Sequence, residues 1–243
     1  IYLSRSAHYE MAIIFFSIGA LYSFYRWTET ERFSYALAAN VSFIFAVLLK
    51  IPNAYLLLPL FFMAYQRWGM GCFKKNWLAF ISLGVVLLGQ GWLGHLREIA
   101  PHPHWEHFSL DYNLKSIMAT FSAGEFYKKV YTDALHYALT PFGLTFFVLG
   151  LILPSRHAGE KMVWVWLGSV VFFYILIPET FWAHSYYHIH YLPIAAIFSA
   201  KAVSMLSAGL TPHVTKKTLA VVGAAFVLLS ARYAVSFYTI PEA

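Results

Sequence analysis

One segment rich in histidine and tyrosine, residues 184–193, carries the side chains best suited to chemistry. Its sequence is His-Ser-Tyr-Tyr-His-Ile-His-Tyr-Leu-Pro. If a helix begins a little before Tyr187, then His184, His188 and Tyr191 fall at positions i, i+4 and i+7 on one face. Histidines at the i, i+4 spacing share zinc in known sites, so His184 and His188 are candidate metal ligands. An aromatic belt at a membrane interface is the alternative interpretation of the tyrosines.

A single acidic residue, Glu10, lies at the entrance of the first apolar stretch. Ionisable groups at membrane depth are costly and usually face protein or water, so Glu10 needs a partner. Arg5 and His8 are near enough in the sequence to supply one. The alternative is an interfacial charge cluster that only sets the depth of a helix.

Lys50 is a lone cation between two apolar runs, followed closely by Pro52. An ammonium at a tight turn on the outer side suits a phosphate at the level of the lipid headgroups. A lysine that extends its charged end to the membrane surface is the alternative.

A second group of histidines, His102, His104 and His107, lies in a long polar loop that covers residues 97–133. These histidines form a second candidate site for a divalent ion, although they lack the helical or hairpin frame of zinc motifs. Farther along, residues 121–131 are typical of an amphipathic helix that lies at the membrane interface. This helix would cover a lipid-side entrance for substrate or simply rest on headgroups.

The composition of the whole chain indicates that most of it is not surrounded by water. Of the 243 residues, 60% are hydrophobic and only 12% are charged, about half the charged fraction of a soluble domain. Disordered, fibrous and ordinary cytosolic classes are therefore disfavoured. The single cysteine, Cys72, excludes an intramolecular disulfide and a cysteine-based metal cluster. The net charge of +6 is explained by loop cations that face anionic lipid, without nucleic acid as a partner.

Eight apolar stretches are long enough to be transmembrane helices, so we predict an all-α, polytopic bundle of about eight helices in one domain. A break at Pro52 separates the second stretch from the third as a helical hairpin. The predicted spans are 9–26, 34–49, 51–66, 78–96, 134–153, 163–179, 188–206 and 218–237.

Basic residues in short loops predict the orientation of these spans. The loops 26–33, 67–77, 154–162 and 207–217 are placed in the cytoplasm. Eight of the eleven acidic residues and nine of the eleven histidines then lie on the outer side. Any chemistry is therefore expected on the outer face. Because residue 1 is Ile and a polar stub leads directly into a span, the chain is expected to continue a longer protein.

Three short motifs in this topology resemble the polytopic GT-C glycosyltransferases, in particular the family-39 type related to protein mannosyltransferases and the aminoarabinose transferase of lipid A. The first is Ser-Arg-Ser-Ala-His-Tyr-Glu-Met at 4–11, and the second is Leu-Leu-Lys-x-Pro at 48–52 with the apolar run after it. The third is His-x-Tyr-Tyr at 184–187, followed by Leu-Pro and a helix of small residues. The loop at 121–141 is similar to the outer loop of that family in length and aromatic character.

This resemblance implies an inverting transfer of sugar from a polyprenyl-phosphate donor to a lipid, glycan or protein acceptor on the outer face of a bacterial inner membrane. It implies that Lys50 and Arg5 contact the donor phosphate and that Glu10 is an assisting acid. The principal catalytic Asp of the family lies in its first outer loop, which is expected to precede the residues of this chain. The residues expected to line the sugar and acceptor pocket are His8, Trp182, His184, Tyr186, Tyr187, His188 and Tyr191.

Two other classes of protein remain open at this point. A transporter or ion-binding protein would use the outer histidines as its site, although transporters usually place ionisable groups near the middle of the bilayer. A non-catalytic membrane scaffold would use the outer loop as a docking surface. A divalent metal ion is the one cofactor that the histidine patterns suggest.

Overall fold

The computed structural model describes residues 10–75, 85, 89, 119–133, 139–155, 157, 159–176, 189–210 and 216–238. These residues are helical or lie in short connections, and no strand occurs among them. The all-α prediction is therefore confirmed. The chain divides into two compact units, of which the first comprises Ile1–Thr120 and Ala158–Glu179, and the second comprises Phe121–His157 and Thr180–Ala243.

The α-helices of the described ranges are numbered here in chain order. They are α1 (Glu10–Thr30), α2 (Phe33–Leu49), α3 (Leu57–Trp68), α4 (Cys72–Lys75), α5 (Gly124–Asp133), α6 (Thr140–Ile152), α7 (Glu160–Leu176), α8 (Leu192–Leu210) and α9 (Lys216–Tyr238). Two 3-10 turns, Ile51–Leu56 and Gly69–Gly71, precede α3 and α4.

Most predicted spans that fall on described residues correspond to a helix. Where their residues are described, the stretches 9–26, 34–49, 134–153, 163–179, 188–206 and 218–237 overlap α1, α2, α6, α7, α8 and α9, respectively. The stretch 51–66 differs, because its first six residues form a 3-10 turn and α3 begins only at Leu57. Of the stretch 78–96, the structure describes only residues 85 and 89, which are both helical.

Small residues allow α1 and α2 of the first unit to approach closely. A Cβ atom on Gly19 would lie 3.1 Å from Ser42 Oγ on α2. Ala20 of α1 and Ala39 and Ala46 of α2 are also buried. Small residues of this kind commonly line the contacts between membrane helices, where they bring the backbones together. In the same unit, α3 packs chiefly against α7 and α1.

The opposite faces of α1 and α2 are apolar and exposed. On α1 these residues recur every three or four positions, as on one helical face. They are Met11, Phe15, Ile18, Tyr22 and Tyr25 on α1, and Phe33, Leu37, Val41 and Phe45 on α2. One described stretch, Ile189–Ala208, is both long and apolar enough to cross a membrane, with a mean hydropathy of 1.4. It comprises most of α8 and the turn before it.

In the second unit, α6 is held between α8 and α9. Gly150 of α6 lies directly against the backbone carbonyl of Phe198 on α8. Lys201 of α8 donates from Nζ to the carbonyl of Leu153 at 2.8 Å, which caps the C-terminal end of α6 with a cation. Phe226 of α9 also packs against α6, edge-on to the ring of Phe142.

Where α1 ends, Glu31 joins several side chains of the first unit. Its backbone adopts a left-handed conformation (φ 52°), and its N–H donates to the carbonyl of Trp27, which terminates the helix. The Glu31 carboxylate accepts from Lys75 Nζ at 2.7 Å and from Trp68 Nε1 at 3.3 Å. The hydrogen bond from Lys75, followed by that from Trp68, lowers the pKa of Glu31.

We expect the contribution of Glu31 to stability to depend on pH. Because its pKa is lowered in the folded state, this contribution is complete above the ordinary value near 4.5 and is lost as the pH falls through the lowered value. The melting temperatures of the wild type and Glu31→Gln should therefore differ slightly at pH 7 and converge at a pH below the lowered pKa. The difference should remain small because the ion pair is exposed to solvent. A difference that is the same at both pH values would contradict this assignment.

Candidate functional site

Three elements of the first unit bring polar side chains together in the protein interior. Glu10 is the first residue of α1, and Lys50 follows the last residue of α2. Asn53 lies in the 3-10 turn that follows. Because α1 and α2 pack as consecutive helices joined by a short connection, the start of α1 meets the end of α2. Lys50 is extended (φ −158°, ψ 113°), which ends α2 immediately before the turn that contains Pro52.

Glu10 and Lys50 form a buried ion pair. Lys50 Nζ donates to Glu10 Oε1 at 2.9 Å, and the two side chains are only 8% and 1% exposed, respectively. Burial lowers the pKa of Lys50, and the hydrogen bond with Glu10 opposes that shift. A buried pair of this kind offsets the cost of removing two charges from water only while both partners are present. The intact pair therefore adds little net stability, but the loss of either partner is costly.

Two oxygens at this location retain hydrogen-bonding capacity. Glu10 Oε2 and Asn53 Oδ1 are buried, and neither accepts a hydrogen bond in the described part of the chain. The Asn53 amide is held firmly, since its Nδ2 donates to the carbonyls of Ala46 at 2.8 Å and Lys50 at 3.0 Å. Buried acceptors are normally satisfied, so these two atoms are suited to a hydroxyl or a water as donor.

Farther into the first unit, a second polar group follows the same face of α1. Ser17 lies two helical turns after Glu10 and is also buried. The buried Tyr55 side chain lies near Ser17 and near Trp166 of α7, and its ring packs 5.8 Å from that of Phe173. Polar side chains are therefore buried among apolar ones along this face of α1, whereas an apolar stripe is exposed on another face of the same helix.

The second unit contains a separate buried carboxylate. Asp133, at the end of α5, is 3% exposed and accepts from Lys129 Nζ at 3.0 Å. Tyr191 lies close enough to Asp133 to interact with it electrostatically. His190, the residue before Tyr191, is 2% exposed. The predicted amphipathic segment 121–131 falls largely on α5, which buries Phe126 and exposes Tyr127 and Tyr131.

The structure places some of the candidate site residues and leaves others outside its described ranges. It brings Glu10 and Lys50 together and places Tyr191 in the second unit. Residues that fall outside the described ranges are Arg5, His8, His102, His104, His107, Trp182, His184, Tyr186, Tyr187 and His188. Within the described ranges, no three His, Cys, Asp or Glu side chains are grouped so that they could hold a metal ion.

Two residues of these clusters were not singled out from the sequence. Asn53 follows Pro52 inside an apolar run, and an amide in that position is a signal for a side chain that bonds local backbone. Asp133 is one of the eight acidic residues that the charge pattern places on the outer side. Its spacing of four from Lys129 on a helical segment is the signal that would have identified the pair.

No protein-family model matches the chain, and no curated protein or solved structure shows significant similarity to it.

Proposed function

We propose that the chain is part of a multi-pass membrane glycosyltransferase of the GT-C type. In this proposal it transfers a sugar from a polyprenyl-phosphate donor to an acceptor on the outer face of a bacterial inner membrane. The observation that carries the proposal is the buried Lys50–Glu10 pair at one end of the α1–α2 hairpin. The family resemblance of the segments around both residues supports it.

Exposed apolar faces support the multi-pass part of the proposal. Large apolar side chains follow one another along the outer faces of α1 and α2, with exposures such as 70% for Phe15 and 60% for Phe33. The charged Glu10 is buried instead. Contiguous apolar surface of this extent on a folded protein is suited to lipid or to another protein.

The chemistry of a lipid-linked donor fits a buried lysine at a helix end. When the sugar is transferred, the polyprenyl phosphate leaves and gains negative charge. A cation held in a poorly solvated site stabilises such charge more effectively than one in water. Lys50 Nζ has three N–H donors, so it can contact a phosphate oxygen while it keeps its bond to Glu10. Arg5 would be the second phosphate contact.

Glu10 fits the role of an assisting acid. Its Oε1 atom orients Lys50, and its Oε2 atom is available to accept from a hydroxyl of the acceptor or of the sugar. Asn53 Oδ1 offers a second acceptor on the adjacent turn. The role of the pocket residues His8, Trp182, His184, Tyr186, Tyr187, His188 and Tyr191 would be to hold the sugar and the acceptor. A divalent ion on the histidines of this group would be an additional element.

The test is the release of polyprenyl phosphate by the full-length protein in native membranes, which supply the acceptor. Polyprenyl-phosphate mannose, glucose and aminoarabinose serve as donors. We expect Lys50→Ala to reduce release by about 100-fold or more, the usual loss when one preorganised donor to a developing anion is removed. Lys74→Ala, which removes an exposed lysine of α4, is the matched control and should retain wild-type activity.

A second variant separates chemistry from folding. Because Lys50→Ala leaves the Glu10 carboxylate buried without this lysine, the neutral double variant Glu10→Gln/Lys50→Gln is assayed beside it. The double variant should be folded and inactive. Undiminished release by a folded Lys50 variant would remove Lys50 from the mechanism. Proteoliposome uptake of a solute without any sugar transfer would favour the transporter alternative.

A further inference from the structure

A cavity of about 460 Å³ lies in the first unit, at the end of α1 remote from Glu10. Its walls are the last turns of α1 and α3 and the first turn of α7. Glu29 lies 19 residues after Glu10 on α1, so the cavity is about 28 Å from the Lys50–Glu10 pair. This distance separates it from the proposed transfer site, and its volume is within the usual range for small-ligand sites.

One wall of the cavity is suited to a phosphate group. Arg67 of α3 and Lys161 of α7 line it, and both are exposed cations. Among the described residues, the acid that forms an ion pair with the Arg67 guanidinium is Glu31, at 3.9 Å, a distance too long for a hydrogen bond. Gly159 and Met162 belong to the same wall, but the first turn of α7 also carries Glu160, so the two cations and not the helix end provide the attraction for a phosphate.

The third charge of the cavity has the opposite sign. Glu29 of α1 also lines it and is exposed, and no described cation forms an ion pair with its carboxylate. A simple anion would be attracted by Arg67 and Lys161 but repelled by Glu29. A ligand that carries both a phosphate and an ammonium group would satisfy all three charges.

Apolar surface continues from the cavity toward the expected lipid phase. Met63 and Met162 contribute apolar lining. Tyr25 also lines the cavity and is the last member of the exposed stripe on α1. A ligand held here by its polar group could therefore extend an apolar chain along α1.

We propose that this cavity binds the phosphoethanolamine headgroup of a membrane phospholipid. Arg67 and Lys161 hold the phosphate, and Glu29 holds the ammonium. The acyl chains lie along the exposed apolar face of α1. This site is independent of the proposed sugar transfer, because it uses none of the residues assigned to that reaction.

Native mass spectrometry of the purified full chain in detergent tests the proposal, with dioleoyl phosphatidylethanolamine and dioleoyl phosphatidylglycerol as the two lipid probes. We expect the wild type to prefer the ethanolamine lipid by on the order of fivefold, the upper contribution of one exposed ion pair. Glu29→Gln should remove that preference. Arg67→Gln/Lys161→Gln should weaken the binding of both lipids by on the order of tenfold.

Lys74→Gln is the matched control, since it removes an exposed cation of the same unit that does not line the cavity, and it should bind both lipids as the wild type does. Soluble glycerophosphoethanolamine distinguishes a lipid from a free phosphate compound. The lipid proposal expects it to compete poorly, and competition as strong as that of the intact lipid would overturn it. Equal binding of the two lipids by the wild type, or unchanged binding by Arg67→Gln/Lys161→Gln, would also overturn it.

Discussion

Glu10→Gln is expected to destabilise the first unit by about 3–5 kcal/mol, the usual cost of removing one partner of a buried ion pair. The substitution removes the carboxylate that lies 2.9 Å from Lys50 Nζ and leaves an ammonium in a site where only 8% of the lysine side chain is exposed. Lys50→Gln should cost a similar amount, since it leaves the Glu10 carboxylate, which is 1% exposed. The double variant should be close to wild type, because no buried charge is left unpaired.

The free energy of unfolding that Glu10→Gln loses should depend on pH, and the pKa of Lys50 determines the direction. Burial lowers the pKa of Lys50, so between the lowered value and the ordinary value of 10.5 the folded protein binds fewer protons than the unfolded chain. Stability rises with pH wherever the unfolded state binds more protons. Loss of the Glu10 carboxylate lowers this pKa further. The deficit of Glu10→Gln should therefore shrink between pH 7 and pH 10.

Thermal unfolding in detergent, followed by tryptophan fluorescence, measures the four members of this double-mutant cycle. The matched control is the exposed pair of Glu31 and Lys75, whose atoms lie at a comparable distance of 2.7 Å. Lys75→Gln should change the melting temperature far less than Lys50→Gln. Equal effects of these two substitutions would contradict the prediction, and so would a double variant as unstable as the single ones. Either result would show that loss of one partner of the buried pair does not cost the expected free energy of unfolding.

The apolar stretches of the sequence predict the positions of the helices well, because the length and composition of an apolar run decide where an apolar helix lies. The stretch 34–49 differs by one residue from α2, and 163–179 overlaps most of α7. The ends are predicted less well. Helix α1 continues to Thr30, four residues beyond the predicted limit, and ends where Glu31 adopts a left-handed backbone. That termination depends on a backbone hydrogen bond, which hydropathy does not report.

The start of the third predicted span is a second feature that the pattern of apolar residues does not predict. An apolar run from residue 51 predicts an α-helix, but the first six residues form a 3-10 turn. Pro52 lacks an N–H donor, and the Asn53 side chain bonds the carbonyls of Ala46 and Lys50. These local bonds hold the turn in place, and they depend on individual side chains rather than on the pattern of apolar residues.

The pairing of Glu10 with Lys50 could be predicted only in part. Orientation by charge places both residues on the outer side of the membrane, and the need of Glu10 for a partner is evident from the sequence. The partner suggested by proximity was Arg5 or His8, whereas the described partner is 40 residues away. Which residue pairs with Glu10 depends on how α1 and α2 are aligned. Close contacts such as that of Gly19 with Ser42 fix this alignment.

An even closer contact in the second unit leads to the other large expected effect. A Cβ atom on Gly150 of α6 would collide with the backbone carbonyl of Phe198 on α8. A backbone carbonyl cannot rotate away as a side chain can, so Gly150→Ala must separate the two helices. We expect a destabilisation at the upper end of the about 1–3 kcal/mol that is typical of overpacking. The separation should also weaken the bond from Lys201 Nζ to the carbonyl of Leu153.

Gly143 on the same helix is the matched control for this substitution. A Cβ atom there would meet only ordinary contacts with its own helix, the nearest being Leu139 Cβ at 3.5 Å. Gly143→Ala should therefore leave stability unchanged or raise it by up to about 1 kcal/mol, the difference in helix propensity between the two residues. The melting temperature in detergent should fall for Gly150→Ala and should stay unchanged or rise for Gly143→Ala. Equal shifts would mean that α6 and α8 do not approach through Gly150, and that helix propensity alone determines the cost.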